Sequence, residues 1–535
     1  MEFNNFSLFH LFMFSIFKNW KEDLPASFVV FFVALPLCLG VAYASTGDET
    51  KLFTGIIAGA IGGIVVGAIS NSRLGVSGPA AGLITIVLSA ISTLGSYEAF
   101  LTAVVIAGVL QVIAGSLGFG ILSNFFASSV IKGMLAAIGI TLILKEVPHA
   151  VGYDADFMGD ESFLQSDGHN TFSEILFAVS KFSPGAIIIS VLSLVILLLF
   201  ELDKFKNLKF TKIIPSALIV VVVGILSNQL FYVLDSPFYL KSQHLVQLPS
   251  ISSLGAISTL FYFPDFSMLL SLDVYKVAVV IFIVASLESL LSVEATDKMD
   301  TKKKRTNGSR ELIAQGVGNT LSGLIGGLPV TQVIVRSSAN ISAGAESKLS
   351  AILHGVILIV CAVLIPSILN LIPLASLATI LILVGYKLSK LGLYKRMFLL
   401  GMEQFLPFVV TIISVLLTDL LKGIAIGMAV AIFFILRKKF RNKCRVEKTF
   451  DISENKDKYI IRLSEEVSFL NKANIAKTLK KIPDDSLLVI DGSNTQELDY
   501  DILELINEYI FYTAPNKNIE VKRIRIKKII PSNSH

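Results

Sequence analysis

Gly75-Val76-Ser77-Gly78-Pro79-Ala80-Ala81-Gly82-Leu83 and Gly326-Gly327-Leu328-Pro329-Val330-Thr331-Gln332 are the two stretches whose reading decides the fold of this chain. Each opens a short apolar run with a glycine-proline break, so each run reads as a half-length helix starting at Pro79 or Val330 rather than as a full crossing. A helix that starts at membrane depth has unpaired N–H groups at its N-terminus, and such backbone is tolerated only against protein or a water-filled cavity. Two such ends aimed at one point present two positive dipole ends, about half an elementary charge each, which suits an anion. The plainer alternative is a pair of proline kinks that only shape packing.

Outward from these breaks the chain is apolar. Of 535 residues, 53% are hydrophobic and 16% charged, and the mean hydropathy is +0.72, more apolar surface than a soluble core hides. Fourteen apolar stretches, many of about 15–22 residues, predict an all-α polytopic membrane domain over 23–437. The two broken runs are the third and tenth of these, matched positions in a seven-plus-seven inverted repeat. With a cytoplasmic N-terminus, Lys204/Lys206/Lys209/Lys212, Lys302/Lys303/Lys304/Arg305, Lys387/Lys390/Lys395/Arg396 and Arg437/Lys438/Lys439/Arg441 all fall on one side. The long loop on the other side, Pro148 to Ser180, has six acids, Asp154, Asp156, Asp160, Glu161, Asp167 and Glu174, and no Lys or Arg. Both termini are therefore expected in the cytoplasm of a cell whose cytoplasmic membrane holds the protein.

Charges inside the apolar runs are the candidates for chemistry. Arg336 stands in the tenth run, where a guanidinium costs about 2.5–3.5 kcal/mol on insertion scales and would add a full charge and several donors for an oxyanion. Glu288 lies in Ser286-Leu287-Glu288-Ser289-Leu290-Leu291-Ser292 of the eighth; with Ser292 at i+4 it offers a carboxylate and a hydroxyl to Na⁺ or a proton. Glu288 neutralising Arg336 is an equal reading of the same two residues. Ser77, Thr85, Thr331, Ser337, Ser338 and Asn340 line the cavity or bond neighbouring backbone.

The net charge of +5 sits beside apolar spans, which excludes nucleic acid as the partner in favour of orientation in a lipid bilayer. Cys38, Cys361 and Cys444 fall singly, without metal-ligand spacing, and no nucleophile–base, Walker or HExxH arrangement is present. No enzyme activity, cofactor or metal is expected, with Na⁺ or H⁺ as the coupling ion. Residues 1–22 read as an interfacial cytoplasmic segment. Past the basic run Arg437–Arg445, residues 446–535 read as a small α/β cytoplasmic domain, with strands at Lys458–Leu463, Leu487–Ile490 and Ile519–Ile526 and helices at Lys472–Lys481 and Ile502–Tyr512.

Leu35-Pro36-Leu37 with Ala42-Tyr43-Ala44, Ser77-Gly78-Pro79-Ala80, the Glu288 motif, and Gly326-Gly327-Leu328-Pro329 followed by Arg336-Ser337-Ser338-Ala339-Asn340 resemble the SulP family of inorganic anion transporters. Leu487-Leu488-Val489-Ile490-Asp491-Gly492-Ser493 resembles a STAS domain, with Tyr500 and Asp501 where phosphorylatable STAS domains carry a serine. The resemblance implies an elevator-type secondary transporter of a sulfate- or bicarbonate-class anion, a substrate site at Ser77, Gly78, Pro79, Ala80, Pro329, Val330, Thr331 and Arg336, coupling through Glu288 and Ser292, and a homodimer. Leu37 stands where many sulfate-type members have glutamine, and Val333-Ile334-Val335 where small or hydroxylated residues are common. Rival readings are an uncoupled anion channel, a non-transporting scaffold, and a nucleobase carrier of related fold; the last usually has carboxylates in spans eight and ten, where this chain has Glu288 and Arg336.

Overall fold

A computed structural model describes residues 18–158, 163, 170–202, 214–249, 260–441, 445–451 and 456–526. Most of the N-terminal segment, the Lys204–Lys212 group, Asp160, Glu161, Asp167 and Cys444 lie outside the described residues. The chain divides into two compact units at Met428 and Ala429.

In the first unit a helix stands at each place where an apolar span is expected: α1 (Trp20–Thr46), α2 (Glu49–Ile69), α3 (Ala81–Leu94), α4 (Tyr97–Ser116), α5 (Ser128–Val151), α6 (Pro184–Glu201), α7 (Ser216–Val233), α8 (Leu272–Met299), α9 (Gly308–Ile325), α10 (Ile334–Ser342), α11 (Leu349–Leu364), α12 (Leu374–Leu388) and α13 (Met402–Leu417), with α14 (Leu420–Arg441) running across the unit boundary. Among the described residues 8 helices are long and apolar enough to cross a membrane, or up to 9 if the pair Phe119–Phe125 and Ser128–Val151, bent by 87°, is one span. Helices α3, α11 and α13 are shorter and apolar.

Local sequence sets the helix ends. Ser96 caps α4 by accepting the Ala99 N–H, Asn307 caps α9 by accepting that of Arg310, and α9 stops where Gly326 takes a left-handed φ of 91°. Helix α4 packs along α8 and α9, and α11 packs on α1 and α2; α5 packs on α12 and α13, and α6 on α7 and α12. These closest pairings sort the helices into one group of α1–α4 with α8–α11 and another of α5–α7 with α12 and α13. The outer helices present apolar faces, as Val195 and Leu198 on α6 and Leu226 and Leu230 on α7 are exposed. The interior instead holds Arg336, Glu288, Glu311 and Asn319, each buried. Apolar outside and polar within is the arrangement of a membrane protein.

The structure corrects the all-α expectation at its deciding stretches. Ser77–Pro79 and Val330–Gln332 are strands, β1 and β2, and the helices start beyond them, at Ala81 and Ile334. Proline holds φ in the extended-compatible range and pushes the residue before it away from helix, so Gly78 and Leu328 stay extended. Backbone inside a membrane must be paired, and the two extended segments satisfy each other.

The second unit carries a four-stranded sheet in the order β3 (Arg445–Asp451), β4 (Lys456–Arg462), β5 (Leu487–Asp491), β6 (Glu520–Ile524); β3 and β4 are antiparallel and the rest parallel. Helices Lys472–Lys480 and Tyr500–Glu508 bury Ile475, Leu479, Ile502 and Ile506 with Leu488 and Ile490 in one apolar core. This is a small α/β domain. Strand β3 starts at the last residue of the basic run and is not among the expected strands; as an edge strand with Val446 and Phe450 exposed, it lacks the buried alternation that marks a strand in sequence.

Candidate functional site

Strands β1 and β2 run antiparallel, with Ser77 opposite Gln332, Gly78 opposite Thr331 and Pro79 opposite Val330. The pairing extends on both sides, as Ala80 N–H donates to Pro329 O at 3.3 Å and Val333 N–H to Val76 O at 2.9 Å. The two breaks therefore meet, and Ser77, Gly78, Pro79, Ala80, Pro329, Val330 and Thr331 form one crossing. Side chains stitch it further: Ser337 Oγ accepts the Val76 N–H at 3.0 Å, and Asn340 Nδ2 donates to Leu74 O at 3.0 Å. Neither α3 nor α10 has a side-chain cap at its start. Their first-turn N–H groups keep their positive character at the crossing.

Close approach is made possible by glycine. A Cβ on Gly62, in the π-helical segment Gly62–Val66 of α2, would collide with the Ser77 carbonyl, so β1 lies directly on that helix. A Cβ on Gly78 would collide with the Arg336 guanidinium. A Cβ on Gly82 would touch both Glu288 carboxylate oxygens, at 3.1 and 3.2 Å. Arg336 and Glu288 thus address the same segment at Gly78 and Gly82.

Among the described residues Arg336 is the bulkiest of the fully buried side chains, 1% exposed, and its Nε and Nη1 have no hydrogen-bond partner there. Thr331 is fully buried with its hydroxyl unpaired. Unmade hydrogen bonds at buried donors cost about 1–3 kcal/mol each, and are kept where a ligand completes them. Glu288 and Ser292 lie on one face of α8, both buried. On the same helix Ser289 Oγ accepts the Gln332 N–H at 3.4 Å and Thr296 Oγ1 accepts from Gln332 Nε2 at 2.9 Å.

A polar stripe on α9 was not among the residues singled out from the sequence. Glu311 binds the Ser70 hydroxyl, and Gln315 Nε2 donates to Ser77 Oγ and to Glu311 Oε1, both at 2.8 Å. Asn319 takes the Val330 N–H at 2.5 Å and gives Nδ2 to Val330 O at 2.9 Å, while Ser322 donates to Leu328 O at 2.7 Å. The i, i+4, i+8 spacing of Glu311, Gln315 and Asn319 in an apolar helix is the signal that could have found it.

At one end of this helix group Arg73 binds Asp300 and Glu346, Lys302 binds Glu346, and Asp23 accepts the N–H groups of Glu346 and Ser347 at 2.8 and 3.0 Å. Burial works to raise the Asp300 carboxyl, but the Arg73 bond and the Lys302 N–H outweigh it and hold it below the usual carboxylate range. The Lys302 bond likewise lowers Glu346. These ties fix the loop leading into β1 against the ends of α1 and α8.

A sequence profile described as the Sulfate permease family matches residues 20–412. The chain belongs to the sulfate permease family. It is a membrane transporter, not an enzyme. This family member is 28% identical to the putative sulfate transporter YvdB of Bacillus subtilis (strain 168), over 79% of this chain and 74% of that protein. It is 26% identical to the bicarbonate transporter BicA of Picosynechococcus sp. (strain ATCC 27264 / PCC 7002 / PR-6), over 82% and 74%. Its fold is similar to that of SLC26A9, with a TM-score of 0.66 at 14% identity, covering 98% of this chain and 89% of that one. It is also similar to the transmembrane domain of a cyanobacterial BicA, with a TM-score of 0.54 at 22% identity, covering 76% and 98%.

Proposed function

We propose that the chain is a secondary transporter of a small inorganic anion of the sulfate or bicarbonate class, binding it where β1 and β2 cross. The observation that carries the reading is a buried Arg336 guanidinium with two unpartnered nitrogens beside two uncapped helix starts. Ser77 and Thr331 supply hydroxyl groups, Gly78, Ala80 and Val330 line the site, Pro79 and Pro329 hold the segments extended, and Arg336 supplies the charge. An anion there completes donors that are otherwise left dry.

The fourteen helices act as fourteen spans in an inverted repeat, with both termini in the cytoplasm and the chain in the cytoplasmic membrane. The packing of α1–α4 with α8–α11, apart from α5–α7 with α12–α13, supports an elevator in which the first group carries the anion past the second. Glu288 and Ser292, against Gly82, bind the coupling Na⁺ or H⁺. Residues 446–535 act as a STAS domain, and the protein works as a homodimer. YvdB and BicA, by their names, point to sulfate and bicarbonate as the first anions to try.

The test is uptake of labelled sulfate and bicarbonate into proteoliposomes, with and without Na⁺ and a pH gradient. Arg336→Ala abolishes uptake while the protein still inserts, and normal uptake by that variant rejects the site. Glu288→Gln flattens the dependence on Na⁺ or pH; an unchanged dependence removes Glu288 from coupling.

A further inference from the structure

Beside the crossing, on the side of the Arg336 guanidinium, lies a second buried group that the anion site as described does not use. His354, on α11, is completely buried, and neither Nδ1 nor Nε2 has a hydrogen-bond partner. An imidazole carries a donor and an acceptor, and buried side chains of this kind nearly always use at least one. Two dry nitrogens call for an occupant.

The stretch of α11 that carries His354 is placed by its neighbours. Leu358, one turn along α11 from His354, shares a corner with Cys38 of α1 and Arg336 of α10: a Cβ on Gly59 would stand 2.7 Å from Leu358 Cδ2, 2.6 Å from Cys38 Sγ and 3.6 Å from Arg336 Nη1. Helix α11 is drawn onto α2 by glycine at both faces, since a Cβ on Gly63 would stand 2.7 Å from the Cα of Gly355. Two buried basic side chains with four unpaired nitrogens between them therefore occupy one corner of the helix group.

We propose that His354 takes up a proton when an anion binds at Arg336 and gives it back when the anion leaves, so that anion and proton load the carrier together. This rests on the reading of Arg336 as the anion site. In the empty site burial and the Arg336 charge both oppose a positive charge on the ring. An anion seated on the guanidinium cancels the second of these, and its negative charge and acceptor oxygens offset the first. The proton passes from water to a ring nitrogen, no other bond is made or broken, and binding and protonation assist each other by the same factor.

The other titratable groups on the elements against α11 do not substitute for His354. Cys38 is a thiol beside the guanidinium, and Cys361 lies on α11 itself. Asp23 and Lys348 stand at the N-terminal end of α11, where Asp23 is held by Glu346 and Ser347 and Lys348 donates to Ala68 O. Between Leu52 and Ile69, α2 has no titratable residue. Glu288 faces Gly82.

The test compares wild type with His354→Gln and His354→Asn, which keep a donor and an acceptor but do not titrate, at constant Na⁺. Uptake of labelled sulfate and bicarbonate is measured from about pH 6 to pH 8, where histidine ordinarily titrates. Because the same anion is used for all three proteins, titration of the anion itself cancels in the comparison. Relative to the variants, wild-type apparent affinity falls with rising pH by up to about 10-fold per unit, the slope for one linked proton. Either variant taking up anion with the wild-type pH profile overturns the proposal. Arg336→Ala run alongside separates the two ideas: normal uptake by it overturns the anion site itself, whereas its loss, with unchanged profiles in the His354 variants, overturns only the proton link.

Discussion

Replacing Asn319 by leucine tests whether the crossing is held from α9. The Asn319 side chain acts on Val330 as a neighbouring strand would, accepting its N–H at 2.5 Å and donating to its C=O at 2.9 Å, with a further bond to Gln111 at 2.7 Å. Leucine of similar size leaves both Val330 groups orphaned, and Val330 is fully buried. Orphaned buried groups cost about 1–3 kcal/mol each, which would give about 2–6 kcal/mol for the pair. Hydrogen bonds between membrane helices average nearer 0.6 kcal/mol and reach about 1.7, because alternatives are found when one is lost. The expectation is therefore the lower part of the range, about 2–3 kcal/mol, enough to shift the equilibrium of an intact crossing roughly 30- to 150-fold at 1.4 kcal/mol per decade. Asn319→Asp keeps the acceptor and loses the donor, and should fall between. Thermal unfolding of the purified protein in detergent reads the loss as a lowered Tm, and anion uptake reads the displaced Val330. Wild-type Tm together with wild-type uptake in Asn319→Leu would refute the argument.

Two further outcomes follow from the same geometry. Gly62→Ala places a methyl group on the Ser77 carbonyl, an overpacking that costs about 1–3 kcal/mol; uptake should fall while Gly67→Ala, whose Cβ meets only ordinary contacts starting at 3.4 Å, stays near wild type. Asp154, in the loop after α5, accepts from His149 at 2.7 Å and His244 at 2.6 Å; burial works to raise its carboxyl, but these bonds prevail and hold it below the ordinary value. A carboxyl lowered in the folded state stabilises above its unfolded pKa, about 3.9, and loses that contribution as pH falls through the lower folded value. Asp154→Asn should thus lower Tm at neutral pH and show a smaller further loss below about pH 4 than wild type; equal acid sensitivity in both would count against the bridge.

Much of this was legible because the bilayer imposes long apolar runs and the breaks in them are conspicuous. Gly78-Pro79 and Leu328-Pro329 announced two interrupted spans, and Arg336 and Glu288 stood out as charges in apolar surroundings. What periodicity could not give was the conformation after each break. Ser77–Pro79 and Val330–Gln332 are too short to show alternation, and pairing between residues so distant in sequence leaves no local trace. The α9 stripe escaped because Gln315 and Asn319 are uncharged and common in loops, so only their spacing on a helix betrays them. His354 escaped for another reason: a single histidine in an apolar run has no partner in sequence, and its bare nitrogens appear only once the packing around it is known. In the C-terminal unit, buried strands such as Leu487–Asp491 were found and the exposed edge Arg445–Asp451 was not.

The crossing of β1 and β2 also bears on how the chain is made. Ser77–Pro79 emerges from the ribosome long before Val330–Gln332, and until the second segment arrives the first has no strand to pair with. During that interval its amides and carbonyls must borrow partners from water or from the insertion machinery. Closing this long-range ladder is then a late step in folding, and a chain interrupted before Val330 leaves the backbone of Ser77–Pro79 without its strand partner.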